Sequence, residues 1–189
     1  MGRTSRSALR RCEGLVCLVS AATALAALAG PAVAQEAVVA AAAQRRPGPP
    51  LEVNTLDGKS LKIQRMKGKV VLLDFMTTVC PTCKAASAGL QSLYQELGPK
   101  GFFPVVVALN VNTPGELKLY ALEHGLTFAV GITAREGVGS YLNHPADKPL
   151  RVPTLVLLDR SGRVCSIEVG WKGADAIRAS VLKLLGEAR

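Results

Sequence analysis

Val70-Val71-Leu72-Leu73-Asp74-Phe75-Met76-Thr77-Thr78-Val79-Cys80-Pro81-Thr82-Cys83 is the stretch that decides the fold. Its opening run of four apolar residues marks a strand covered on both faces, since a strand with one wet face would alternate. Beyond Cys83, the spacing Ala86, Leu90, Leu93, Leu97 gives the next segment one apolar helical face. The cysteines therefore stand where strand gives way to helix, with Cys80 at the helix N-terminus. Unpaired backbone N–H groups and the positive end of the helix dipole favour a thiolate over a thiol there. Positions i and i+3 are neighbours on a helical turn, so the second sulfur can reach the first with little backbone movement.

Working outward, Leu51 to Ile63 carries short apolar stretches around Asp57-Gly58, a turn signal that predicts a small hairpin. After the first helix, Gly98-Pro99-Lys100-Gly101 breaks the pattern. Val105 to Val111 then reads as a second buried strand, with Pro104 expected only at its start. A helix follows, with Thr113 as N-cap, Pro114 at the first helical position, Glu116 completing a capping box and Gly125 in the left-handed position that ends it. Thr127 to Ile132 reads as a short strand and Ala134 to Leu142 as a short helix. The loop 143–149 leads to Val152-Pro153-Thr154 and the strand Leu155 to Leu158. A turn at Asp159-Arg160-Ser161-Gly162, a strand to Val169 and a helix with Ile177, Val181, Leu184 and Leu185 on one face complete the chain. Parallel crossovers mixed with a hairpin imply an α/β sandwich with a mixed sheet and helices on both faces.

The N-terminus has the pattern of a secretory signal: Arg3, Arg6, Arg10 and Arg11, an apolar stretch from Leu15 to Leu28, then Ala32-Val33-Ala34. Cleavage is expected after Ala34; a retained membrane anchor is the alternative, because Gly14 to Ala34 is long enough to span a bilayer. Residues 35–50, rich in Ala, Gln, Arg and Pro, read as a flexible linker. Residues 51–189 remain for one domain. Removing residues 1–34 lowers the formal charge from +9 to +6. The remaining cations are scattered and not interleaved with aromatics, which argues against nucleic acid as a partner.

Of the five cysteines, Cys12 and Cys17 fall in the leader, leaving Cys80, Cys83 and Cys165. Export places these in an oxidising compartment, but the ring closed by Cys80 and Cys83 is too small to restrain much chain. Cys165 reads as a small buried residue of a strand. No second cysteine pair exists, and His124 and His144 lack ligand spacing, so no metal and no cofactor are expected. His124 is expected at a helix C-terminus, His144 in solvent and Trp171 at the sheet edge.

Taken together, the pair Cys80-Pro81-Thr82-Cys83 after a strand, Val152-Pro153-Thr154 before one, and the hairpin Leu155 to Val169 resemble the thioredoxin superfamily. The likeness is greatest to its exported, thioredoxin-like branch related to the cytochrome c maturation factors TlpA and ResA, over about residues 51 to 187. The resemblance implies a three-layer α/β/α sandwich with an N-terminal hairpin and an exported thiol-disulfide oxidoreductase. In it Cys80 is the nucleophile and Cys83 the resolving thiol. Pro153 is a cis-proline facing the pair, and Val152 offers its backbone to an extended substrate alongside Pro81 and Thr82. Asp74 matches the superfamily's buried carboxylate and would exchange a proton with Cys83. A surface Asp held by water or Lys69 is the alternative.

The implied partners are thiols and disulfides of exported proteins and a redox partner protein, in the periplasm or another extracytoplasmic space. A membrane enters only if the N-terminal segment is retained, and the domain is expected to be a monomer. Reduction is the expected direction, with a cytochrome c maturation role among the possibilities. Met76 and Val79 replace the usual tryptophans, which makes the surface around Cys80 aliphatic, and the strand Val105-Val106-Val107 lacks the ResA-like branch's glutamate. Two other readings stand beside this one. A peroxiredoxin-type peroxide reductase would want a proline where Leu73 stands, and a copper or other metal chaperone would use the pair as ligands.

Overall fold

The computed structural model describes residues 44–111, 114–145 and 147–187. The leader, its cleavage site and most of the linker lie outside the described residues, as does Thr113 with its cap. The elements are β1 (Arg46–Pro47), β2 (Glu52–Thr55), β3 (Ser60–Lys62), β4 (Val70–Met76), α1 (Pro81–Leu97), β5 (Phe102–Ala108), α2 (Pro114–Glu123), β6 (Ala129–Ile132), α3 (Arg135–Leu142), β7 (Thr154–Leu158), β8 (Arg163–Val169) and α4 (Ala174–Gly186). The strands form one sheet in the order β1-β8-β7-β4-β5-β6-β2-β3. β4, β5 and β6 run parallel; β7 lies antiparallel to β4.

Strand order explains which helix covers which face. The crossovers β4-α1-β5 and β5-α2-β6 step the same way across the sheet, so right-handedness puts both helices on one side. α4 joins them. The core on that side unites Leu72 and Met76 of β4 with Leu90 and Leu93 of α1, Leu117 and Tyr120 of α2, and Val181 of α4. The opposite face carries α3, where Val138 and Tyr141 pack on Leu73, Phe75 and Val107. β4 is buried along its whole length, as its apolar opening run requires.

The turns follow their residues. Gly58, Gly125 and Gly162 adopt φ of 78°, 59° and 80°, where a glycine has no Cβ to clash. Asp159 Oδ1 accepts from the N–H groups of Ser161 and Arg163, which fixes the β7–β8 hairpin.

Two expectations need correction. Pro104 lies inside β5, which begins at Phe102, and stands opposite Leu72 of β4. This is tolerated because β6 pairs with β5 only from Val105 onward, leaving no partner that needs an N–H from Pro104 on that side. The linker, expected to run flexibly to Pro50, is already packed at Arg45. That residue is 4% exposed, and its guanidinium meets Asp159 Oδ2 at 3.2 Å and both Glu187 carboxylate oxygens at 2.6 Å. Arg46 and Pro47 then pair with Val164 and Arg163. Composition hid this, because the acidic partners lie more than a hundred residues away in sequence.

Candidate active site

Cys80 caps α1. Its backbone is extended, at φ −84° and ψ 118°, and its Sγ accepts the Cys83 N–H at 3.2 Å, with Pro81 in the first turn, where a missing N–H costs nothing. The loop before it is clamped: the Thr78 N–H donates to Asn110 Oδ1 at 3.0 Å, and Asn110 Nδ2 returns a bond to Thr78 Oγ1 at 3.0 Å. Cys80 is half-buried, Val79 beside it is 76% exposed, and Cys83 is fully buried. The two side chains interact directly, and both cysteines are free thiols. One sulfur thus faces outward and the other stands behind it.

Burial pushes the Cys83 thiol up to about 12, and the adjacent Cys80 and Asp74 add to the shift while the backbone of Thr77 partly offsets it. Asp74, on the same face of β4 as Leu72 and Met76, has no exposed surface, and neither carboxylate oxygen has a hydrogen-bond partner among the described residues. Desolvation raises it to about 8. A surface Asp paired with Lys69 is therefore excluded.

Val152-Pro153 is a cis peptide. β7 opens with Thr154 opposite Phe75 of β4, which sets Pro153 beside the end of β4, where the cysteine loop begins. The Pro153 carbonyl accepts from Gly170, and so joins the end of β8 to the site. Trp171 lies over α1 at Gly89, where an added Cβ would come within 2.3 Å of its ring. A cleft of about 610 Å³ opens beside Val152 and Thr77, walled by Arg135 and Val138 of α3 and by Lys148 and Leu150. His144, expected in solvent, is half-buried in its wall, with Nε2 3.1 Å from the Lys148 carbonyl. Pro81 and Thr82 are exposed at the helix mouth.

Cys165 is buried on β8, where desolvation raises its thiol to about 11. His124 packs edge-on against Tyr120, with ring centroids 4.5 Å apart. Among the described residues, no group of three or more His, Cys, Asp or Glu side chains is placed to hold a metal ion. The sequence reading did not single out Asn110, Ser87 or Tyr120. The one visible signal was Ser87, a polar residue on the apolar face of α1.

A family model described as the AhpC/TSA family matches residues 45–167. The chain belongs to the AhpC/TSA family. Within it, the chain is 30% identical to the thiol-disulfide oxidoreductase ResA of Geobacillus thermodenitrificans over 131 residues, which cover 69% of this chain and 71% of that protein. Its counterpart from Bacillus anthracis is 28% identical over 138 residues, 72% of this chain and 75% of the relative. A thiol:disulfide interchange protein of the thioredoxin family from Chlorobium tepidum superposes with a TM-score of 0.68 at 25% identity, covering 77% of this chain and all of the other (100%). A secreted thiol-disulfide isomerase from Corynebacterium glutamicum shares the fold, with a TM-score of 0.71 at 18% identity over 79% and 92% of the two chains. This member of the family is a thioredoxin-like thiol-disulfide oxidoreductase, as its sequence resemblance implied.

Proposed function

We propose that Cys80 and Cys83 cycle between dithiol and disulfide and reduce disulfides of exported proteins in an extracytoplasmic space. The observation that carries this is the unequal placement of the two sulfurs: Cys80 half-exposed at the helix N-cap, Cys83 buried one turn inside with its N–H bonded to the first. The sulfur of Cys80, as thiolate, attacks a substrate disulfide; a Cys80–substrate bond forms and one substrate thiolate leaves. Cys83 then gives its proton to Asp74 and attacks Cys80 Sγ, expelling the second substrate thiolate. The substrate gains two electrons, the pair closes as a disulfide, and a reducing partner protein restores the dithiol. Pro153 and Val152, beside the end of β4, offer an edge for an extended substrate chain, with Pro81 and Thr82 at the rim. Export rests on the arginine-rich, apolar leader ending at Ala34. A role in cytochrome c maturation rests only on the sequence resemblance to the TlpA and ResA branch.

The test equilibrates the domain in graded glutathione buffers and counts alkylatable thiols, with Cys80→Ser and Cys83→Ser as controls. A potential near about −270 mV supports a reductant; one near about −120 mV would replace it with an oxidant. Peroxide that oxidises Cys80 faster than protein disulfides do would instead favour the peroxide reductase.

A further inference from the structure

β4 and β5 run parallel and stop in register, Met76 beside Ala108, and the Leu109 N–H still donates to the Met76 carbonyl at 2.9 Å. Just past the two strand ends stand Thr78 and Asn110. There the ladder continues through a side chain. The Asn110 amide carries the acceptor and the donor of a peptide group, and both go to Thr78: Oδ1 takes the Thr78 N–H and Nδ2 donates to Thr78 Oγ1, each at 3.0 Å. The Thr78 N–H can only donate, which fixes the end of the amide that faces it.

The loop from β4 to α1 is short, Thr77 to Cys80, and the dithiol hangs from it. The Thr77 carbonyl accepts the Cys80 N–H at 3.3 Å, and Cys80 Sγ accepts the Cys83 N–H at 3.2 Å. The Thr77 backbone also bonds the Cys83 sulfur. A path of contacts thus joins Asn110 to both cysteines, through Thr78 to its neighbour Thr77 and from Thr77 to the pair. Packing adds little on the outer side, where Val79 is 76% exposed. Apart from the dithiol itself, Asn110 is the one side chain among the described residues that hydrogen-bonds to this loop.

We infer that Asn110 is a positioning residue of the dithiol site: by holding Thr78 through two hydrogen bonds it fixes the loop that sets Cys80 against Cys83, and so speeds closure of the pair. The inference rests on the dithiol cycle proposed above, whose two steps depend on the loop differently. The first attack, by Cys80 on an outside disulfide, is bimolecular and needs only that the half-exposed sulfur be reached. Closure is intramolecular. The Cys83 thiolate attacks Cys80 Sγ, the Cys80–Cys83 bond forms, the Cys80–substrate bond breaks and the substrate sulfur leaves with the electron pair. Its rate follows the share of time for which the two sulfurs are held face to face.

The test separates the two steps in the full chain. An aromatic disulfide that releases a coloured thiol is mixed with the reduced protein at pH 7. The first release scales with the concentration of that disulfide; the second, driven by Cys83 attacking Cys80, does not. Asn110→Ala is expected to slow the second release roughly fivefold, the scale of one net hydrogen bond, and the first by less than about twofold. Thr78→Val, which removes one of the two bonds, should slow the second release by a smaller factor, and Thr78→Ser, which keeps the hydroxyl, should restore it. An unchanged second release in Asn110→Ala overturns the inference, as does an equal loss in both releases, which would mark a general loosening of the site. If Asn110→Ala does not fold, the contrast between Thr78→Val and Thr78→Ser decides. A parent protein that shows no second release at all would defeat the dithiol cycle itself, whereas a normal parent matched by Asn110→Ala defeats the clamp alone.

Discussion

Replacing Asp74 with asparagine should make the folded protein progressively more stable than its parent as pH rises. The carboxyl is fully buried and has its pKa raised from 3.8 to about 8 by desolvation. An acid whose folded pKa lies above its unfolded value contributes fully below pH 3.8, loses that contribution as the unfolded chain ionises, and has lost it all above about pH 8. Between those limits the folded state holds a proton that the unfolded state has released. Each pH unit then costs about 1.4 kcal/mol, so by pH 7 the native carboxyl weighs against folding by about 4 kcal/mol. Asparagine carries no such dependence. Its buried amide adds a constant penalty of about 1–3 kcal/mol, which offsets the whole curve without changing its slope.

The assay is urea unfolding of the reduced protein and of Asp74→Asn at half-unit steps from pH 5 to 9. Other titrating groups are common to both chains and cancel in the difference. That difference should climb by about 1.4 kcal/mol per pH unit to about pH 7.5 and level off above pH 8. Parallel stability curves would refute the reasoning, because they would mean that Asp74 ionises at an ordinary pH and is neither dry nor alone. The same value has a kinetic consequence: at pH 7 about one site in ten holds the carboxylate that accepts the Cys83 proton, so resolution should speed up with pH until about 8.

Other outcomes follow from single contacts. Arg45→Ala removes the cation that pairs with Asp159 Oδ2 and Glu187; because Asp159 keeps its Ser161 and Arg163 donors and Glu187 is partly exposed, the loss should be about 1–3 kcal/mol, read as a fall in the urea midpoint, and an unmoved midpoint would show that the N-terminal segment adds nothing to the domain. Gly131→Ala puts a Cβ 2.4 Å from the Asn54 carbonyl, where β2 meets β6. About 1–3 kcal/mol should be lost, and amide exchange in the β2–β3 hairpin should accelerate if that edge is what gives way. Asn110→Ala removes both bonds to Thr78, and the Thr78 amide should exchange about fivefold faster, with protection unchanged if the loop is held by something else. Cys83→Ser should accumulate mixed disulfides on Cys80 that the parent resolves, detectable as mass adducts lost on reduction.

The sequence by itself determined whatever depends on near neighbours. Val70 to Leu73 read as an interior strand, Cys80 and Cys83 as the cap and first turn of the helix that follows, and Gly58, Gly125 and Gly162 marked turns whose φ angles favour glycine. Each of these is set by backbone sterics or by a repeat of two or 3.6 residues, which act within one stretch of chain. Tertiary structure decided the rest. Pro104 fits inside β5 because of where β6 begins, and Arg45 belongs to the domain because Asp159 and Glu187 fold back onto it. Asp74 is left without a hydrogen-bond partner among the described residues, and Ser87 meets Tyr120, only once α1 and α2 lie on the same side of the sheet. Burial and charge depend on what distant segments bring to a point, and no local pattern of residues records that.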